Sequence, residues 1–116
     1  MRFGQFSFGL IKIDGVAYDH DVVIEGGHIR ARKKKRSKKF RDAYGHTPLS
    51  VEEDIPWDCR RLVIGTGAYG SLPVMPQLER EAERRRVELV AMPTEVALKA
   101  LSDDDRETNA ILHVTC

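Results

Sequence analysis

Leu62-Val63-Ile64-Gly65-Thr66-Gly67-Ala68-Tyr69-Gly70 is the stretch that decides the fold. An apolar run enters a glycine-rich loop directly, as a buried strand does when it ends at a turn. Downstream the chain reads helix, strand, helix, strand. Pro76 suits a first helical position, and Leu78 and Ala82 stand at i, i+4 within residues 77–86. Residues 87–92 read as strand. Thr94 reads as an N-cap, with Glu95 in the electropositive first turn. Val96, Ala97, Ala100 and Leu101 then form one apolar stripe, which Ser102-Asp103-Asp104-Asp105 ends, and residues 110–114 read as a last buried strand. Two successive β-α-β units predict a parallel sheet with right-handed crossovers. The glycine loop then lies at the carboxyl end of a parallel strand, where open α/β sheets bind ligands.

Upstream the pattern is antiparallel β. Residues 6–13 alternate and then turn at Asp14-Gly15, a strong two-residue hairpin signal. Residues 16–18 and 22–24 continue the sheet, and Glu25-Gly26-Gly27-His28 is a second turn before a strand from Ile29 to about Arg32. Ser50-Val51-Glu52-Glu53 has the form of a capping box, and Pro56 would keep the helix it starts short. The expected fold is therefore α/β: one domain over residues 1–116, with a mixed central sheet, a parallel C-terminal β-α-β-α-β half and an antiparallel N-terminal β region.

With 116 residues the chain can bury a core without disulfides or a metal. No apolar stretch approaches the ~20 residues that span a bilayer, and residues 1–6 lack the apolar core of a signal peptide. Two cysteines, Cys59 and Cys116, fit a reducing, cytoplasmic compartment. The formal charge of +1 conceals an asymmetry. Residues 30–41 hold nine of the 19 basic residues and no acid; the rest of the chain balances at −8. Within this run no apolar period of 2 or 3.6 is visible, so its middle reads as an exposed loop or strand extension.

The chain resembles the Mth938-like family of small α/β proteins. The resemblance rests on Phe8-Gly9-Leu10-Ile11 with Asp14-Gly15, on Tyr18-Asp19-His20-Asp21, and on Gly45-His46-Thr47. It continues through Gly65-Thr66-Gly67 with Gly70, Pro93-Thr94-Glu95, and the C-terminal Ile111-Leu112-His113-Val114-Thr115-Cys116. It implies a mixed sheet with helices on one side and additional β structure on the other. It also implies kinship with an assembly factor of mitochondrial respiratory complex I and with a protein linked to adipocyte differentiation. It brings no catalytic residue set and no cofactor.

The residues leave several sites to weigh. Gly65, Gly67, Tyr69 and Gly70 have G-x-G-x-x-G spacing, but Pro73 and Pro76 delay the helix whose N-terminus a pyrophosphate needs. No acid ends the next strand to bind ribose, so a dinucleotide is not expected. The glycines serve tight turns and close packing, or else hold a small polar ligand, with His46 or Tyr69 beside the cleft as its polar group. Asp19 and Asp21 would share a face of a strand and read as turn-binding acids. His113 reads as a buried or half-buried histidine with one backbone partner. Three residues on, Cys116 would point to the opposite face, and no metal site is expected. The basic residues Arg32, Lys33, Lys34, Lys35, Arg36, Lys38 and Lys39 are either a solvated segment or a contact surface. For such a surface a protein partner is favoured over nucleic acid, because Phe40 and Tyr44 offer little base stacking and the acidic body repels polyanions. The overall expectation is a non-enzymatic binding or assembly module. An enzyme using the cleft at the glycine loop, or a nucleic-acid accessory protein, is the alternative.

Overall fold

A computed structural model describes residues 1–103 and 107–116. Its centre is a five-stranded sheet of order β5-β4-β8-β6-β7, with β4 Val22–Glu25, β5 His28–Ala31, β6 Arg61–Gly65, β7 Glu88–Met92 and β8 Thr108–Leu112. Strand β6 pairs in parallel with β7 on one side and β8 on the other. Strand β4 is antiparallel to β8 and to β5. A second sheet, order β1-β2-β3, is all antiparallel: Phe3–Ser7, Leu10–Ile13 and Val16–Tyr18.

The parallel half and the antiparallel start thus follow the sequence pattern. The Asp14-Gly15 and Gly26-Gly27 hairpins form with positive φ at Asp14, Gly15, Gly26 and Gly27, as a tight two-residue turn demands. Residues 6–13 are not one strand, however. The chain reverses at Phe8-Gly9, where Gly9 adopts φ 83° and Ser7 pairs with Leu10.

Helix α2, Pro76–Arg84, opens on its proline and buries Leu78 and Ala82; α3, Thr94–Ser102, follows β7. The two lie on opposite faces of the large sheet, not on one side as the family resemblance implied. Strands β7 and β8 flank β6, so the two crossovers run in opposite directions. Crossovers of one hand must then place their helices on opposite faces. One core joins Val63, Ala110 and Leu112 to Ala97 and Leu98 of α3 and to Ile11 and Ile13 of the small sheet. The other joins Leu62, Ile64 and Ile111 to Leu78, Ala82, Leu49 and Ile55. Alternating residues of β6 and β8 serve the two cores, as a strand covered on both faces requires.

The remaining differences are local. Thr94 is the first residue of α3 rather than its cap, and Val96 is exposed while Leu98 is buried. Asp104 and Asp105, read as ending α3, lie outside the described residues. The apparent capping box at Ser50–Glu53 forms only a turn, because the Glu53 side chain goes elsewhere. The basic run leaves β5 and passes through irregular residues 32–34, but from there it is helical where a loop or strand extension was expected: Lys35–Phe40 is a 3₁₀ helix that continues into α1, Arg41–Tyr44.

Candidate functional site

The carboxyl ends of β6, β7 and β8 converge, and the chain itself fills the crevice between them. The Gly67 N–H donates to Thr94 Oγ1 at 2.9 Å, and Thr94 Oγ1 donates to the carbonyl of His113 at 2.7 Å. Residues 113–116 run on from β8 across the loop. Ala68 N–H donates to the Thr115 carbonyl, and the N–H groups of Tyr69 and Ser71 to that of Cys116. Thr66, Leu72 and Gly70 N–H bond to Met92, Thr66 and Gly67 carbonyls. The amides that would cradle an anion are therefore occupied.

The glycines explain how the crevice closes. A Cβ on Gly65 would stand 2.8 Å from Thr94 Oγ1, and one on Gly67, at φ 102°, 2.2 Å from the Cys116 carbonyl carbon. Gly70 takes φ 69° at a turn. Tyr69 points away from this knot, 75 % exposed, with its ring 6.1 Å from that of Phe8. Helix α2 begins at Pro76, past an extended segment that bridges Val74 to Leu49, so its N-terminus is remote from the loop.

Behind the tail lies a buried polar network that sequence reasoning missed. Arg32 has a side chain only 2 % exposed. Its Nε and Nη2 donate to the two carboxylate oxygens of Glu53 at 2.8 Å each, Nη1 donates to Asp21 Oδ2 at 2.9 Å, and Nη2 also reaches the Pro48 carbonyl. Arg32 thus departs from the exposed cationic set in which its sequence neighbours remain, because two buried acids hold it inside. Ser50 donates to Ser37 Oγ at 2.7 Å, and Ser37 in turn donates to Glu53 Oε2 at 2.5 Å. Ser37 is fully buried although it lies within the basic run.

Asp21 and Asp19 do not form a pair, since Asp19 is exposed. Asp21 accepts from the Val114 N–H at 2.9 Å and from His113 Nδ1 at 2.8 Å. Burial alone would raise this carboxyl. The hydrogen bond and charge of His113, the Val114 N–H and the Arg32 charge outweigh burial and hold it at about 2. An ionised carboxylate only accepts, so His113 Nδ1 carries the proton. His113 Nε2 lies 3.1 Å from Thr115 Oγ1, giving His113 two side-chain partners where one backbone partner was expected. The signal available in the sequence was slight: Ser37 is the one small residue among the cations of residues 32–39.

This network carries the basic run on its back. Lys33, Lys34, Lys35, Arg36, Lys38 and Lys39 are all exposed, as is Arg41. Lys39 pairs with Glu52 at 2.6 Å; among the described residues the other six cations make no ion pair. Lys34, Lys38 and Arg41 line a cavity of about 310 Å³ with His46, His113 and Thr47, against the tail at Thr115 and Cys116. Gly45, at φ 76°, ends α1 and sets His46 beside this cavity. Lys33, Lys35 and Arg36 line another hollow, opposite Glu52 and Asp54. The structure thus brings His46 together with part of the basic run and leaves Gly65 and Gly67 beneath the tail. A larger hollow of about 640 Å³ between β1 and α3 mixes Lys12 and Lys99 with Glu95 and Asp103. Among the described residues no helix is long and apolar enough to cross a membrane, and no group of three or more His, Cys, Asp or Glu stands where it could hold a metal ion.

Comparison with protein-family models and with curated proteins yields no match. Solved structures do match. The conserved hypothetical protein PH1505 from Pyrococcus horikoshii is 34 % identical over the full length of both chains, with a TM-score of 0.83. A protein named MT938 is 25 % identical, over 98 % of this chain and 97 % of its own, with a TM-score of 0.73. A Bordetella pertussis protein described as a Mth938-like domain shares the fold at 18 % identity and a TM-score of 0.63, over 97 % of this chain and 84 % of its own. Full-length similarity to PH1505 and MT938, and a fold shared with a Mth938-like domain, agree with the residues that first suggested the kinship: the chain belongs to the Mth938-like family.

Proposed function

We propose that this protein is a non-enzymatic binding or assembly module whose contact surface is the cationic ridge over residues 33–41. The observation that supports this reading is the anchoring of the ridge. A dense run of like charges repels itself and tends to stay solvated and weakly ordered. Here Ser37, in the middle of the run, is fully buried and tied through Glu53 to Arg32. Six exposed cations without ion pairs among the described residues are thereby presented in one fixed arrangement. An ordered surface loses little conformational freedom on docking, which favours binding. The matching partner is a protein with an acidic face. The rest of this chain balances at −8 and disfavours a long polyanion that would run past the ridge.

The test is affinity capture from the cell of origin. A variant with serine at positions 33, 34, 35, 36, 38 and 41 should lose a specific protein partner and keep its circular dichroism spectrum. Equal capture by both forms would contradict the reading. So would capture that nuclease treatment abolishes.

A further inference from the structure

We infer that the cavity beside the C-terminal tail is a binding site for one phosphate dianion, free or as a monoester. The inference shares the ridge with the proposed function but does not depend on it. Lys38 and Arg41, three apart where the 3₁₀ helix passes into α1, fall on one side of the run. Lys34, just before the 3₁₀ helix, lines the same cavity. All three cations lack ion pairs among the described residues. His46 and Thr47 add groups that hydrogen-bond phosphate oxygens.

No Asp or Glu lines the cavity. The nearby acids are engaged elsewhere: Asp21 with His113, Arg32 and Val114, and Glu53 with Arg32 and Ser37. Arg32 also lines the cavity, but its charge is matched by those two carboxylates. Among side chains the unmatched charge is thus that of Lys34, Lys38 and Arg41, while the Cys116 oxygen at the cavity's edge accepts from the Tyr69 and Ser71 N–H groups. A single carboxylate would leave two of the three uncompensated. A phosphate monoester is close to doubly charged near neutral pH and presents several acceptor oxygens, which suits three cations lining one cavity better. The volume of about 310 Å³ has room for the group and for part of what it is esterified to. This site differs from a dinucleotide cradle, because its donors are side chains of the ridge and not amides of the glycine loop.

Two triple variants test the site. Lys34→Ser/Lys38→Ser/Arg41→Ser strips the cavity. Lys33→Ser/Lys35→Ser/Arg36→Ser removes the same charge from the other side of the ridge. Long-range electrostatics change equally in both, so a difference between them reports the cavity. Titration calorimetry with inorganic phosphate, at low ionic strength, should give a dissociation constant of about 1 mM or tighter for the unaltered protein. The first variant should weaken binding at least tenfold and the second less than about threefold. Acetate should bind at least tenfold more weakly than phosphate. O-phosphoserine and adenosine monophosphate separate the sources: esters binding as tightly as inorganic phosphate mark a monoester site, and inorganic phosphate alone marks a site for the free ion. Phosphate-induced amide shifts in the unaltered protein should centre on Lys38, His46, Thr47 and Thr115, which tests the location even if a variant fails to fold. Equal loss in both variants, no measurable binding, acetate binding as well as phosphate, or shifts centred elsewhere would overturn the inference. If phosphate fails to bind while the six-fold variant still loses its protein partner, the site alone is wrong and the docking surface stands.

Discussion

At the scale of single residues, the strongest constraints sit where the tail crosses the glycine loop. Gly67 combines φ 102° with a backbone neighbour 2.2 Å from where a Cβ would be. Neither can relax without lifting the tail from the loop. Gly67→Ala should therefore cost about 3 kcal/mol in chemical denaturation. Gly70→Ala meets nothing nearer than 3.5 Å and should cost about 1–2 kcal/mol, from its positive φ alone. Equal costs at the two positions would show that the tail does not pack as described. Asp21 makes a second prediction. Its carboxyl titrates at about 2 in the fold, below the value of about 3.9 in an unfolded chain. The folded state thus gains stability from it above pH 4, and loses that gain as the pH falls from about 4 to 2. The loss is on the order of 2 kcal/mol. Urea denaturation across this window should register the fall, and Asp21→Asn should lower stability at neutral pH and flatten this part of the profile.

At the scale of elements, what could be read from the sequence was what local pattern determines. Strands β6 and β8 are apolar runs bounded by turn residues, too short for an ordinary helix, and the edge strand β7 is a half-buried run of the same kind. Asp14-Gly15 and Gly26-Gly27 declare their hairpins because positive φ leaves few alternatives. The misread elements are those fixed by distant partners. Glu53 has the sequence position of a capping residue, but its carboxylate is drawn to Arg32, 21 residues earlier. The ridge shows no helical period, because one buried Ser37 orders it rather than an apolar face. The site divides in the same way: His46 and the lysines were visible as residue types, whereas Asp21, His113 and Glu53 gain meaning only from contacts across the fold. The glycine loop carries an elemental prediction of its own. Its amides are occupied by Thr66, Gly67, Met92, Thr94 and the tail, and α2 starts too late to present its N-terminus. NAD and NADP should bind no more tightly than about 10 μM, roughly 7 kcal/mol, by titration calorimetry. Tighter binding would require the tail to move.

At the scale of the whole molecule, charge and topology act together. The two crossovers leave β6 between β7 and β8, and the end of the chain closes the crevice that such a sheet opens. The proposed contact surface lies beside the sheet, where β5 leads into the ridge. A near-neutral protein carries there the positive charge that its acidic body lacks. Residues 33–41 should then be an anchored surface and not a solvated loop. Nitrogen-15 relaxation of the free protein decides between the two. Backbone order parameters at Ser37, Lys38 and Arg41 should match those of β8, near 0.85. Values below about 0.6 across the run, with β8 rigid, would show a solvated loop instead.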